Sequence, residues 1–224
     1  MYGEQQFIQS NIQSSRIRHL RTVLRSAVIG GLLLGLVGGT VALQAGEPVR
    51  AALGVQIRAG RDTVAMSRRA KARDDLKAGR DQLRVHVKPT AAAYVYVIFS
   101  DATRARSLSP GLDRVAANQI WSLPNDSYFN ITGTYTQIAI SVIVSPEVIG
   151  ELSGIGSRGI DNDDWLELRS QLEERASMDL SEAGDSPTSI AANMRAGGDD
   201  PAQFLVNYSG QALIIQTFQF HVQD

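Results

Sequence analysis

A stretch of 21 uncharged residues, 26–46, restricts what this 224-residue chain can fold into. It is apolar on all sides, and four arginines precede it: Arg16, Arg18, Arg21 and Arg25. A helix of this length rises about 30 Å, which is the thickness of the hydrocarbon layer of a bilayer. The stretch therefore predicts a transmembrane helix rather than a soluble core helix, with the arginines at the membrane interface.

The residues before this stretch predict its orientation. Basic residues crowd that flank, so the positive-inside rule places residues 1–25 in the cytoplasm. Ile8, Ile12 and Leu24 recur at multiples of four, which predicts an amphipathic tail in contact with membrane lipid; a frayed polar tail is the alternative. A cleaved signal peptide is the main alternative for the span, since residues 40–42 resemble a processing site. A signal peptide would then have 25 residues before its apolar region, and this length opposes the alternative.

Three glycines inside the apolar stretch, Gly31, Gly35 and Gly39, repeat every fourth residue. Small residues at this spacing let the backbones of two membrane helices approach closely. They predict packing against a helix of another subunit, or against a second copy through self-association. The alternative is that glycine is simply common in membrane helices.

Charge is divided unevenly along the chain. Residues 1–80 carry 13 Lys and Arg against 5 Asp and Glu, a net +8, whereas residues 81–224 carry 9 against 18, a net −9. Residues 47–80 mix apolar and basic residues and are interpreted as a basic helical stalk interrupted at Gly54 and Gly60. The stalk contains no aromatic residue, so lipid phosphates or acidic protein surfaces explain its charge better than nucleic acid does.

Residues 81–224 are predicted to form a soluble β-rich (α+β) domain, an antiparallel β-sandwich or barrel with a few peripheral helices. Apolar residues alternate over 83–88 and run almost continuously over 92–100, as in an exposed-face strand and a central strand. The remaining predicted elements are strands at 118–123, 128–133 and 135–145, a capped helix ending near Ser177, and a final hairpin turned at Ser209 and Gly210.

Several short motifs follow one another in this domain: GRDQLRV at 79–85, YVYVI at 94–98, LSP at 108–110, LP at 123–124 and the strand with its Ser-Pro end at 138–146. Over residues 78–150 they resemble a bacterial domain of unknown function found beside caspase-like proteases, kinases and envelope anchors. In this chain Arg80 separates the glycine and acid of the opening motif, and residues 102–106 replace a glycine of the second hairpin. The resemblance implies a small β-sandwich and no catalytic residues.

No catalytic, cofactor-binding or metal site is predicted. The absence of cysteine excludes thiol nucleophiles and Cys-ligated metals. His19, His86 and His221 are far apart and are predicted to be hydrogen-bonded or exposed residues rather than ligands. The acidic residues 161–164 lack the glycine and the later glutamate of an EF-hand loop, so they are interpreted as a helix cap.

Four aromatic residues of the domain stand in or beside the predicted strands: Tyr94, Tyr96, Trp121 and Tyr128. Their predicted place is the core of the sheets, and a ligand groove is the alternative.

These features predict a non-catalytic, single-pass accessory or structural subunit of the bacterial inner membrane. Its N-terminus is expected in the cytoplasm and its β-domain on the periplasmic side. The glycine-striped helix and the β-domain would dock on other subunits and brace a larger membrane complex. The alternative is a membrane-tethered sensor module that binds a ligand or peptide, although a cytoplasmic tail of 25 residues has no room for an effector domain. Neither an enzyme nor a nucleic-acid partner is expected.

Overall fold

A computed structural model describes residues 47–60, 66–109, 114–176 and 200–224. These residues form two β-sheets with two helices packed on one of them. The strands are β1 (Val49–Ala59), β2 (Met66–Arg69), β3 (Arg73–Lys77), β4 (Asp81–Pro89), β5 (Ala93–Ser100), β6 (Arg104–Ser107), β7 (Arg114–Val115), β8 (Trp121–Leu123), β9 (Phe129–Asn130), β10 (Gln137–Ser145), β11 (Ile160–Asp161), β12 (Val206–Gly210) and β13 (Ile214–Gln223). The helices are α1 (Gly150–Ser153) and α2 (Asn162–Ala176), and a 3-10 helix spans Pro201–Phe204.

Both sheets are built from strands distant in sequence. Sheet A has the order β12-β1-β4-β8, with β2 also pairing with β1 and β9 with β4. Sheet B has the order β11-β6-β5-β10-β13-β3, with β7 also pairing with β5. The described pairs are antiparallel except for β13 and β3, which are parallel.

The two sheets share one apolar core, which confirms the predicted β-rich fold and fits a sandwich, one of the two predicted architectures. Successive side chains of a strand point to opposite faces, so every second residue of a strand enters this core. Leu53, Val55 and Ile57 of sheet A and Ile140 and Val142 of sheet B are each at most 1% exposed. Burying a side chain of this size stabilises a fold by about 1.5–3 kcal/mol.

A second apolar core lies on the outer face of sheet B. Ile98 and Ile143 point away from the inter-sheet core and pack with Leu152 of α1 and with Trp165 and Leu172 of α2. Because Trp165 and Leu172 are fully buried, α2 is fixed on the sheet by its apolar side.

The expected fold class, a transmembrane helix joined to a β-domain, is corrected by this structure. No helix within the described ranges is long and apolar enough to cross a bilayer. The longer of the two, α2, has 15 residues, carries acidic Asp163 and Asp164 in its first turn, and is too short for a span of about 20 residues. The predicted tail (1–25) and the predicted span (26–46) both lie outside the described residues.

The predicted helical stalk at residues 47–80 is wrong, because the described part of this segment consists of β1, β2 and β3. In β1 the apolar residues alternate and face the inter-sheet core, which a helix would not allow. The two glycines predicted to interrupt the stalk have other roles. Gly54 lies within β1 under the carbonyl of Phe204, and Gly60 directly follows the last residue of β1 with φ +88°. The β-domain therefore includes residues that the sequence pattern assigns to the stalk.

Within the domain, β4, β5, β10 and α2 confirm the strands and the helix predicted from the sequence. The strands predicted at 118–123 and 128–133 shorten to β8 and β9. The final hairpin is wrong, because β12 pairs with β1 in sheet A whereas β13 pairs with β10 in sheet B. The chain crosses between the sheets here, and Tyr208 and Phe218 therefore reach the inter-sheet core from opposite sides.

Candidate functional site

The residues predicted to act at the membrane lie outside the described part of the chain. They are Arg16, Arg18, Arg21 and Arg25 at the interface and Gly31, Gly35 and Gly39 in the helix-packing stripe. His19 also lies there. Candidate sites in the β-domain are therefore built from other residues.

His86 is an interior, hydrogen-bonded residue on the outer face of sheet A. Its ring is fully buried, stacks on Phe204 with 5.7 Å between centroids, and contacts Gln56 Oε1 through Nε2 at 2.9 Å. Since an amide oxygen only accepts, Nε2 donates to it, and Nδ1 lies within hydrogen-bond distance of the Ser122 hydroxyl at 2.8 Å. His221 differs, because its side chain is 58% exposed and lies 3.8 Å from Asp75.

The four aromatic residues singled out in the sequence do not share one site. Tyr96 is buried in the core beside the helices, and its hydroxyl accepts from the Ile149 N–H at 2.9 Å. Tyr94 and Trp121 are partly buried and pack against different apolar clusters. Tyr128 lies on the outer face of sheet A beside two arginines.

An apolar cleft of about 280 Å³ lies between the two sheets. Sheet A contributes Leu83 and Phe129 to its walls, and sheet B contributes Phe99 and Ile138. Tyr135, just before β10, meets the ring of Phe99 edge-on, with 5.5 Å between centroids and 67° between planes. These side chains form a preformed apolar site of the kind that receives a ligand group or a partner side chain.

One cation belongs to this inter-sheet cleft. The Arg106 guanidinium lies 4.9 Å from the centre of the Phe99 ring, a cation–π distance. Among the described residues, Arg106 makes no ion pair with a carboxylate. The cleft therefore offers an apolar interior and a positive charge to whatever binds it.

A larger groove, of about 750 Å³, runs over the outer face of sheet B beside α2, and its lining contains as many aspartates as lysines and arginines. Burial opposes the ionisation of Asp74, but hydrogen bonds from Arg68, at 2.5 Å, and from the backbone outweigh it, so its pKa is lowered. Burial likewise opposes the ionisation of Asp101, and hydrogen bonds from Thr103 and the backbone lower its pKa. Both carboxylates are fixed negative charges, unsuited to general acid catalysis near neutral pH.

No metal site forms within the described ranges, since no three acidic or histidine residues converge there. Of the cluster at 161–164, Asp163 and Asp164 lie in the first turn of α2, where carboxylates interact favourably with the helix dipole, and Asp161 lies in β11.

Sequence reasoning missed the cleft, because its residues come from β4, β5, β6, β9 and β10 and from the segments that follow β6 and β9. One sequence signal could have pointed to the cleft, namely an aromatic residue at the inward position of a strand, as at Phe99. The residues that surround Phe99 in the cleft depend on strand pairing, which the sequence pattern does not specify.

The comparisons with known proteins add no relative: no protein-family model, curated protein or solved structure matches this chain. The resemblance of residues 78–150 to a bacterial β-sandwich family stays a prediction.

Proposed function

We propose that this protein is a non-catalytic accessory subunit whose β-sandwich binds an apolar side chain of a partner subunit in the inter-sheet cleft. In this way it braces a larger assembly at the bacterial membrane. The observation that carries the proposal is the cleft, where Phe99, Phe129 and Tyr135 surround an apolar space next to Arg106. An aromatic or branched side chain beside an acidic residue is the partner chemistry that fits this lining.

The size of the cleft favours a side chain over a free ligand. Sites for drug-sized molecules usually measure about 300–1,000 Å³, and the cleft lies just below that range at about 280 Å³. A single anchoring side chain in a desolvated pocket is typical of a protein–protein hot spot. The alternative function is a membrane-tethered sensor module that binds a ligand or peptide, and the test below distinguishes it.

The proposed location is the bacterial inner membrane, with the β-domain on the extracytoplasmic side and membrane lipid as a second partner. It is supported by the sequence alone: the uncharged residues 26–46 and the arginines before them. Protease added to sealed inverted vesicles, which expose the cytoplasmic face, is expected to spare the β-domain. Its degradation there would contradict this orientation.

The test of the binding role obstructs the rim of the cleft. Thr132 lines the cleft and is exposed, and its hydroxyl lies 2.9 Å from that of Thr134, which is also exposed but lies outside the cleft. Thr132→Trp covers the opening, whereas Thr134→Trp adds the same bulk and loses the same hydrogen bond. The matched pair thus separates blockage from general damage to the loop.

Gentle detergent extraction followed by native mass measurement reads the result. We expect wild type and Thr134→Trp to be recovered with a stoichiometric companion, and Thr132→Trp to lose it. Recovery of wild type as a lone monomer, or retention of the companion by Thr132→Trp, would refute the proposal. A bound small molecule in place of a protein companion would favour the sensor alternative.

A further inference from the structure

Two arginines lie together on the outer face of sheet A, on the opposite side from the core. In the pairing of β1 with β4, Arg58 faces Gln82 and Gln56 faces Arg84, so the two arginines are diagonal neighbours. The Tyr128 ring lies beside both: its centre is 5.0 Å from the Arg58 guanidinium carbon and 5.7 Å from that of Arg84. These three residues are called the Arg–Tyr cluster below.

The Arg–Tyr cluster rests on a fixed base. The fully buried Gln56 donates from Nε2 to the Tyr128 hydroxyl at 3.3 Å and to the Ser67 hydroxyl at 2.8 Å. Its amide oxygen accepts from His86. The tyrosine ring is therefore held in place by a buried network rather than by solvent-exposed contacts, and the site is preformed.

Arg84 is held by the turn that follows β8. Its Nε donates to the Pro124 carbonyl at 3.0 Å, and its Nη2 donates to the carbonyl of Asn125. These neutral acceptors orient the guanidinium without neutralising its charge. The carboxylate in the same turn, Asp126, accepts from the side-chain amide of Asn125 at 2.9 Å.

Arg58 has unused hydrogen-bonding capacity. Its Nε is buried and has no hydrogen-bond partner among the described residues, and neither Arg58 nor Arg84 makes an ion pair there. By contrast, Arg68 is paired with Asp74. A water or an ion is one kind of partner that satisfies a buried donor of this kind. Stacking on a ring also leaves the in-plane N–H groups of a guanidinium free.

We propose that the Arg–Tyr cluster binds a terminal phosphate group, either the headgroup of phosphatidic acid or free phosphate. A phosphate monoester carries about −1.5 to −2 charges near pH 7, which matches two guanidinium groups. A carboxylate carries one charge and would leave the second arginine unbalanced. The planar fork of Arg58 can bind two phosphate oxygens at once, a geometry that lysine cannot reproduce.

The first test measures inorganic phosphate binding to the purified full chain by calorimetry. Arg58→Gln and Arg84→Gln are expected to weaken binding about ten-fold or more each, and Arg58→Lys by less. The matched control is Arg114→Gln, because Arg114 is exposed and lies 5.8 Å from the Tyr94 ring on sheet B. Circular dichroism melting verifies that the variants remain folded.

Three results would overturn the proposal: wild type that does not bind phosphate, equal weakening in Arg114→Gln, or acetate binding as tightly as phosphate. Arg84→Gln also removes the bonds to the turn, so Arg58→Gln, which removes no described hydrogen bond, is the decisive variant.

A second arm identifies the source of the phosphate. Vesicles of phosphatidylcholine with and without phosphatidic acid are sedimented with the Arg58→Gln and Arg114→Gln variants, so the comparison cancels the contribution of the basic N-terminal residues. Weaker sedimentation of Arg58→Gln alone assigns the site to a lipid headgroup, and equal sedimentation together with lost phosphate binding assigns it to free phosphate. If Arg58→Gln weakens neither phosphate binding nor sedimentation with vesicles, the site is refuted.

The site is independent of the proposed partner binding in the inter-sheet cleft. Thr132→Trp should keep phosphate binding, and Arg58→Gln should keep the protein companion. Each proposal can therefore fail without the other.

Discussion

Gly54 is the position at which the outer face of sheet A is most sensitive to a single methyl group. It pairs with His86 in the β1–β4 register and lies under the backbone of the 3-10 helix. A Cβ at this position would lie 2.0 Å from the Phe204 carbonyl oxygen and 3.1 Å from its carbon. Ordinary contact begins near 3.4 Å, so Gly54→Ala must displace one of the two backbones by about 1.4 Å, the difference between 3.4 and 2.0 Å.

The cost of this displacement follows from what the 3-10 helix covers. Overpacking a close contact costs about 1–3 kcal/mol. The same movement weakens the stacking of Phe204 on His86, and an aromatic contact of this kind contributes about 0.5–1.5 kcal/mol. Together we expect Gly54→Ala to destabilise the fold by about 2–4 kcal/mol, which lowers Tm by about 5–15 °C for a domain of this size.

Thermal melting followed by circular dichroism measures the effect. Gly156→Ala is the control, because a Cβ added there meets no atom within 4 Å and its φ is not positive, so its stability should stay within about 0.5 kcal/mol of wild type. Phe204→Ala loosens the same segment, so the double variant should lose less than the sum of the two single losses. A Gly54→Ala protein as stable as Gly156→Ala, or strictly additive losses, would refute the close contact.

Two further substitutions test the charge and backbone arrangements of sheet B and its edge. Because the pKa of Asp74 is lowered in the fold, its stabilisation is present above the ordinary value of 3.8 and is lost as pH falls through the folded value. Asp74→Asn should therefore lose less stability than wild type as the pH falls below about 4, and should cost about 1 kcal/mol or less at neutral pH. If the unfolding free energies of the two proteins, measured with urea, fell in parallel below about pH 4, the ion pair with Arg68 would be contradicted. Gly159 has φ +72°, and its Cβ would lie 2.3 Å from the Ala105 carbonyl oxygen, so Gly159→Ala should cost about 2–4 kcal/mol in urea unfolding. A loss below about 0.5 kcal/mol would show that β11 is free to move.

Strands were predictable from the sequence where a local hydrophobic pattern was compatible with only one kind of secondary structure. The near-continuous apolar run of β5 and the alternation in β4 each specify a strand regardless of its neighbours. Helix α2 was predictable because acidic residues precede an apolar periodicity. These elements form the centre of the fold.

The stalk was mispredicted because residues 47–80 were interpreted as a helix interrupted at Gly54 and Gly60, two positions that lie within β1 and directly after it. The apolar residues of β1 recur at every second position from Val49 to Ala59, a period that indicates a strand and that the helical interpretation overlooked. The neighbouring uncharged stretch favoured a helical interpretation. The outcome depends instead on pairing with β4 and β12, which lie further along the chain, β12 at its far end.

The last hairpin was mispredicted for a related reason. Ser209 and Gly210 do lie where the chain changes direction, since β12 ends at Gly210. A turn signal shows where a strand ends but not which sheet the chain enters next. The return into sheet B depends on partners of β13 that lie far away in sequence, β10 and β3.

The two proposed sites depend on the same strand register, although they lie on opposite faces of sheet A. Leu83 pairs with Phe129 and faces the inter-sheet cleft, whereas their chain neighbours Arg84 and Tyr128 face outward in the Arg–Tyr cluster. Because β4 is also paired with β1, a slip of one residue between β4 and β9 would turn β9 over, bringing Tyr128 toward the cleft and Phe129 to the outer surface. The hydrogen bond from Gln82 Nε2 to Asn130 Oδ1, at 2.7 Å, joins the first pair of this register. The register is thus the structural feature that both binding proposals require, whereas blocking the rim of the cleft or removing Arg58 affects only one of them.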